Sequence, residues 1–204
     1  GSSVWAVVFG RHLGFDKETL NAVGLGGMLL DIGKTRIPVE LLRKAGPLSE
    51  DEMLMMYKHV DLGLEILRES GNTDARIEIM LATHHERFDG TGYPNGLKDT
   101  HIPVLGRVAG IVDCYDAMVS KRPYAETQST FNAMRQLQTM AKGKFQKEMV
   151  DQFVQAVGMF PTGSLVELNT GEVAVVTAQN NYQRLRPEVM IIMDRDKNLC
   201  DDFK

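Results

Sequence analysis

The sequence has few cysteines and no long apolar segment, and each scarcity excludes a class of protein. Its two cysteines, Cys114 and Cys200, lie far apart, so neither a disulfide framework nor a zinc knuckle is predicted. No apolar run approaches the roughly 18 residues that span a membrane, and the first residues do not follow the order of a secretory signal. We therefore expect a cytoplasmic protein with no membrane association.

An excess of charge of one sign is also lacking. The 23 lysine and arginine residues nearly balance the 27 aspartate and glutamate residues, and the formal net charge is -4. This balance disfavours a basic surface for nucleic-acid phosphates and an acidic disordered tail. With 43% hydrophobic residues over 204 positions, the composition is that of a globular protein with one main core. We expect no DNA or RNA partner.

Apolar periodicity predicts helices over most of the chain. Four of the predicted helices cover residues 4–12, 105–119, 127–141 and 147–159. Asp16 and Asp74 are typical N-cap residues for two others. Ser49 and Glu52 predict a capping box at the start of a helix that carries His59.

The pattern changes from helical to strand-like after residue 160. Short β-branched runs at 164–168, 172–178 and 188–193 are separated by turn residues, which is typical of a small β unit. The predicted fold class is therefore mainly α. It consists of a helical bundle over residues 1–160 and a small β unit over residues 161–204.

Imidazoles and carboxylates occur on several of the predicted helical segments. They are Asp31, His59, His84, His85 and Asp113. Iron, manganese, zinc and nickel all accept these donors, and a bundle builds a metal site from inward-facing ligands on several helices. Each residue alone is equally well explained as a hydrogen-bonded core residue, a helix cap or half of a salt bridge. The spacing therefore leaves both interpretations open.

Several short motifs follow one another in a specific order. They are Asp-Ile-Gly-Lys at 31–34, His59 with Gly63, the run 84–94 that contains His-His-Glu and Gly-Tyr-Pro, Asp113 with Asp116, and Arg-Pro-Tyr at 122–124. In this order they resemble the HD-GYP domains, and the resemblance covers about residues 4–160. The tail from Pro161 resembles a β extension of some members.

The resemblance implies both an activity and a cofactor. HD-GYP proteins are bacterial phosphodiesterases that open cyclic di-GMP to the linear dinucleotide, and often to GMP, at a two- or three-metal site in a helical bundle. We therefore expect an HD-type bundle, cyclic di-GMP as the substrate and a divalent metal as the cofactor. Iron or manganese is favoured, with zinc or nickel as alternatives.

The resemblance also implies a role for each matching residue. Asp31 resembles the bridging carboxylate, and Asp113 resembles a ligand of the second metal. The ligands of the first metal are implied to be His59, His84 and His85.

Three further residues resemble groups that contact the substrate. Lys34 resembles a lysine at the scissile phosphate, and Arg122 resembles a residue that neutralises phosphate charge. Both roles suit a reaction in which phosphodiester charge must be stabilised. Tyr93 resembles a residue placed beside a guanine or a phosphate.

This sequence departs from the family pattern at three places. Leu30 occupies the position of the histidine that precedes Asp31, and Ala125 replaces a basic residue. A further histidine of the family falls upstream of Gly1, so we expect that an upstream part, such as a regulatory domain, is missing. The first metal then keeps four ligands, whereas the second keeps only Asp31 and Asp113. We therefore expect the binding of one metal to be more secure than the binding of two.

The departures support alternatives to an active enzyme. One is a catalytically degenerate module that binds cyclic di-GMP or a diguanylate cyclase domain without hydrolysis. A weaker one is a hydrolase of another nucleotide. The remaining histidines, His12 and His101, are predicted to be surface residues.

Overall fold

The predicted order of helices followed by strands is present in the computed structural model, which describes residues 1–71, 74–120, 128–180 and 186–200. The mainly α fold is therefore confirmed. The helices are α1 (Ser2–His12), α2 (Lys17–Leu29), α3 (Val39–Leu42), α4 (Glu50–Tyr57), α5 (His59–Glu69), α6 (Ala75–Thr83), α7 (Val104–Val119), α8 (Thr130–Met140) and α9 (Lys147–Val157). Two 3₁₀ helices cover Ile32–Arg36 and Asp99–His101, and the strands are β1 (Leu165–Glu167), β2 (Val173–Ala178) and β3 (Glu188–Met193).

Short polar side chains start three of these helices as predicted. The Asp16 carboxylate accepts a hydrogen bond from the backbone N–H of Thr19 at 2.7 Å, before α2. The capping box of Ser49 and Glu52 opens α4, with both reciprocal hydrogen bonds formed. Asp74 caps α6. Local hydrogen bonding therefore determines where these helices begin.

The helix predicted to carry His59 along with the capping box is divided in the structure. At Lys58 the backbone N–H bonds the carbonyl of Met55, three residues earlier, which is the tight pattern of a 3₁₀ turn. The carbonyl of Met56 accepts a hydrogen bond from Nδ1 of His59 at 2.7 Å. His59 is consequently the first residue of α5 and not an interior residue of α4.

Helix α7 lies at the centre of the helical part. It packs against α1, α2, α6, α8 and α9. Val112 and Tyr115 on this helix are buried, and the Tyr115 ring packs edge-on against Trp5 and Phe153, each at a centroid distance of 5.2 Å. Such aromatic pairs add to the stabilisation from buried area. The core therefore fixes the orientation of α7 and of Asp113, which it carries.

The first 3₁₀ helix packs against α5 at very short range. A Cβ atom added to Gly33 would overlap the backbone carbonyl of His59 and lie 2.5 Å from the backbone N of Gly63. Only glycine fits at such a distance. This contact places Asp31 and Lys34 beside the start of α5.

The small β unit is a three-stranded antiparallel sheet in the order β1-β2-β3. Alternate residues of β2, Ala174 and Val176, are buried, as the two-residue period of a strand requires. The sheet adjoins the helical part at Phe160, whose ring stacks on Phe131 at 5.4 Å and whose carbonyl accepts a hydrogen bond from Gln179. The predicted β unit is confirmed.

Within the described ranges, none of the helices combines the length and the apolar character that crossing a bilayer requires.

The contact between Gly33 and α5 makes a testable prediction. Gly33→Ala is expected to lower the free energy of unfolding by about 1–3 kcal/mol, because the new methyl group overlaps backbone atoms that cannot rotate away. Gly63→Ala is the matched control, since its added Cβ meets its nearest neighbour at 3.5 Å. We expect this control to lie within about 1 kcal/mol of the parent in urea unfolding. Equal losses in the two variants would contradict the interpretation.

Candidate metal centre

Four of the side chains predicted to be metal ligands lie close together in the structure. They are Asp31, His59, His84 and His85, and one ligand atom from each lies within 4.8 Å of the others. Asp31 lies between α2 and the first 3₁₀ helix, His59 begins α5, and the two adjacent histidines directly follow α6. The ends of three helical segments therefore supply the cluster. Metal binding by this cluster stays a prediction.

The hydrogen bonds of two imidazoles define their tautomers. Nδ1 of His59 lies 2.7 Å from the carbonyl of Met56, and Nδ1 of His84 lies 2.8 Å from the carbonyl of Leu81. Because a carbonyl only accepts, each Nδ1 must carry the hydrogen, and a neutral ring then has a lone pair on Nε2. This is the arrangement that metal-ligating histidines commonly adopt.

Both Nε2 atoms are buried and have no hydrogen-bond partner among the described residues. The His59 Nε2 lies 3.6 Å from Oδ1 of Asp31, which is too long for a hydrogen bond. Leaving a buried polar atom unpaired costs free energy, so such atoms require an explanation, such as a bound ion. A divalent cation bound to these two atoms and to the carboxylate would satisfy them. The residues present therefore fit a metal.

Burial also keeps the three imidazoles in the form that binds metals. It lowers the pKa of His84 to about 4 and holds the pKa of His59 below its ordinary value. Burial lowers the pKa of His85 as well, and repulsion from His84 adds to the effect. All three rings are neutral at pH 7, so a metal need not displace a proton to bind them.

A lysine helps to keep the carboxylate of the cluster ionised. Burial opposes ionisation of Asp31, but the charge and hydrogen bond of Lys34 outweigh it and hold the pKa of the carboxyl below its usual value. The Lys34 ammonium donates to Oδ2 of Asp31 at 2.7 Å. The Lys34 and Asp31 side chains are 35% and 43% exposed, so a ligand from solvent can reach both. The positively charged Lys34 ammonium therefore lies at the accessible edge of the cluster.

The ring of Tyr93 covers one side of the cluster. It stacks on His85 at a centroid distance of 4.6 Å and an interplanar angle of 29°, and its backbone N–H donates to the His85 carbonyl at 3.2 Å. Burial raises the pKa of Tyr93 above its ordinary value, so its hydroxyl is neutral at pH 7. The predicted substrate residue therefore contacts a predicted metal ligand directly.

The two residues that follow the adjacent histidines make polar contacts at the start of the Tyr93 loop, and sequence reasoning assigned neither a role. The buried carboxylate of Glu86 accepts hydrogen bonds from the backbone N–H groups of Asn95 at 2.8 Å and Leu97 at 2.9 Å. Arg87 donates to the carbonyls of Glu86 and His84 and lies over the Phe145 ring at 5.2 Å. A carboxylate just before a glycine-rich loop was the available signal, because such a loop has backbone N–H groups to satisfy.

Asp113 lies outside the four-residue cluster but near it. It lines a cavity of about 320 Å³ together with Asp31, Asp116 and Leu30. Leu30 is 2% exposed and belongs to the hydrophobic core, so it brings no donor atom to this cavity. Asp31 and Asp113 thus line a common cavity, in which the residue before Asp31 cannot ligate a metal.

The remaining predicted residues lie elsewhere. Arg122 falls outside the described residues. His12 is exposed and lies 2.7 Å from Oε1 of Gln152. His101 is exposed and lies 3.0 Å from the carbonyl of Lys98. Neither of these two histidines joins the cluster, as predicted.

A helical bundle that gathers one aspartate and three histidines defines an HD-type helical domain. The chain belongs to the HD domain family, whose family model matches residues 2–149. The model of a KOW domain associated with the HD domain matches residues 165–204.

Similar proteins include several named phosphodiesterases. A cyclic di-GMP phosphodiesterase of Pseudomonas aeruginosa is 35% identical over 187 residues, which cover 91% of this chain and 44% of the relative. One of Thermotoga maritima is 35% identical over 146 residues, with coverages of 71% and 40%. A 3'3'-cGAMP-specific phosphodiesterase of Vibrio cholerae is 37% identical over 124 residues, with coverages of 60% and 24%. This chain spans less than half the length of each relative.

Solved structures share the fold. Bd1817, an HDG"Y"P protein from Bdellovibrio bacteriovorus, superposes with a TM-score of 0.61 at 19% identity and covers 76% of this chain and 49% of its own. A cyclic GMP-AMP specific phosphodiesterase of Vibrio cholerae gives a TM-score of 0.58 at 15% identity, with coverages of 76% and 42%. At these identities the likeness shows the fold alone.

The buried Nε2 atoms predict which histidines a metal needs. In His59→Gln and His84→Gln, the affinity for Mn²⁺ is expected to fall by at least about 100-fold, because loss of a ligand costs more than loss of its supporting hydrogen bond. His12→Gln is the matched control and should bind like the parent. Calorimetric titration of metal-stripped protein measures the Mn²⁺ affinity of each variant, and metal analysis after dialysis measures the metal that each variant retains. Unchanged affinity in the two cluster variants would show that the cluster is not the metal site.

Proposed function

We propose that this chain is a metal-dependent phosphodiesterase domain that hydrolyses cyclic di-GMP. The observation that carries the proposal is the pair of buried, unpartnered Nε2 atoms of His59 and His84 beside the ionised Asp31. Membership of the HD domain family supports it, and the names of the similar phosphodiesterases support the choice of substrate. We take residues 1–160 as the catalytic unit and 161–204 as an appended unit. The cytoplasmic location stays a prediction.

The first metal would be held by Asp31, His59, His84 and His85. Asp31 would also bridge to a second metal, with Asp113 as a further ligand, since both line one cavity. Mixed carboxylate and imidazole donors accept iron, manganese, zinc and nickel, and we favour iron or manganese. A metal of this kind polarises a phosphoryl oxygen and lowers the pKa of bound water.

The chain's own side chains would orient the phosphodiester. The accessible Lys34 ammonium, held by Asp31, supplies positive charge where a scissile phosphate would approach. Arg122 is proposed to neutralise phosphate charge. Tyr93 would place its neutral hydroxyl beside a guanine or a phosphate.

A second candidate function rests on Leu30. Its buried, donor-free side chain next to the space shared by Asp31 and Asp113 favours an incomplete second metal site. Hydrolysis that requires two ions would then be impaired. In this case the domain would bind cyclic di-GMP or a diguanylate cyclase domain without hydrolysing the dinucleotide.

Hydrolysis is tested with purified protein, Mn²⁺ and cyclic di-GMP, and chromatography follows the linear dinucleotide. Asp31→Asn is expected to lower kcat/KM by more than about 100-fold, because it removes the charge that the metal requires. Asp61→Asn, at an exposed position of α5, should retain the parent rate. Turnover no higher than in a metal-free control would overturn the proposal of an enzyme. Binding of cyclic di-GMP in that case would support the second candidate.

The role of Leu30 is tested by restoring an imidazole. Leu30→His is expected to increase the bound metal per chain and to raise kcat by about tenfold or more, because it supplies a ligand to the second ion. Leu30→Gln is the control, since it also buries a polar group but provides no imidazole. If the two variants bind the same amount of metal and have the same kcat, the number of metal ligands does not limit activity at this site.

A further inference from the structure

A row of three stacked rings begins at the metal cluster and ends outside the sequence motifs. The Tyr93 ring lies between His85, at 4.6 Å and 29°, and Tyr57, at 3.8 Å and 21°. Tyr57 is the last residue of α4. Neither the sequence motifs nor the proposed metal ligands give it a role.

Helix α4 is not held in place by the hydrophobic core. None of its side chains, all of which the structure describes, is buried. Met53, Leu54 and Met55 are 38%, 61% and 44% exposed. Tyr57 is half-buried and stacks at the shortest ring distance in the row. The stack therefore attaches the end of this helix to the site.

The same short segment also orients a proposed metal ligand. The carbonyl of Met56 accepts the hydrogen bond of Nδ1 of His59, so the residues on both sides of Lys58 contact the cluster. The place of the Tyr57 ring is consequently set relative to His59. The Tyr93 ring thus lies between the rings of His85 and Tyr57, and both of these residues are positioned relative to the metal cluster.

We propose that Tyr57 is a positioning residue that holds the Tyr93 ring against His85 and so prepares it to receive the substrate. A ring stacked on both faces loses the freedom to rotate toward solvent, and a stacked aromatic pair favours one arrangement by roughly two- to tenfold. Tyr57 acts through Tyr93 and not on the reacting atoms. The kinetic part of this inference rests on the proposed hydrolysis of cyclic di-GMP.

The kinetic test compares three substitutions in α4. Tyr57→Leu is expected to raise KM for cyclic di-GMP by roughly three- to tenfold, while kcat and Mn²⁺ affinity stay at the parent values. Tyr57→Phe keeps the ring and should retain the parent KM. Leu54→Ala, at an exposed position of the same helix, is the control. An equal loss in the leucine and phenylalanine variants, or a fall in kcat alone, would overturn the assignment.

A double substitution separates an indirect role from direct substrate contact. In a Tyr93→Leu background, adding Tyr57→Leu should change KM no further, because the ring that Tyr57 positions is already gone. Multiplying effects of the two substitutions would show that Tyr57 contacts the substrate by itself. That result would overturn the proposal.

A measurement without substrate keeps the inference testable if the protein does not hydrolyse cyclic di-GMP. The ring-proton resonances of Tyr93 in an NMR spectrum are identified by their loss in Tyr93→Phe. They are expected to move in Tyr57→Leu, which removes the stacked ring, and to stay in place in Tyr57→Phe and Leu54→Ala. Unmoved resonances in Tyr57→Leu would overturn the positioning role. Absent turnover with moved resonances would overturn only the proposed hydrolysis.

Discussion

The pairing of each buried imidazole with a backbone carbonyl is the interaction on which the site depends. Once Nδ1 of His59 and Nδ1 of His84 donate to Met56 and Leu81, both rings must present an unprotonated Nε2 to the interior. The cost of burying these atoms unpaired requires a compensating partner. The ionised Asp31 adds the negative charge that makes a cation the suitable partner.

The fold supplies this arrangement by bringing the ends of helical segments together. Burial around α7 fixes the bundle, and the short approach of Gly33 to α5 brings the first 3₁₀ helix next to His59. Asp31 and Lys34 belong to this small segment, so their position depends on a glycine. The packing around α7 and the packing of Gly33 against α5 therefore both fix the distances between the ligands.

The loop around Tyr93 shows how few regular elements are needed to position a ring. Glu86 accepts two backbone hydrogen bonds of the loop, and Tyr57 covers the ring from the opposite side to His85. A carboxylate, a histidine and a tyrosine thus replace the ladder of hydrogen bonds that a helix or strand would provide. The loop can then be both irregular and well defined.

Much of this molecule is encoded locally in the sequence. The capping signals at Asp16 and at Ser49 with Glu52, and the β-branched runs at the C-terminal end, act over a few residues, so they predicted helices and strands correctly. The types of the ligands are likewise set by residue identity. The need for glycine at 33, the convergence of the four predicted ligand side chains and the stack of Tyr57 on Tyr93 were decided by tertiary structure. Each depends on contacts between segments whose distances no local pattern specifies, because packing, and not spacing along the chain, brings them together.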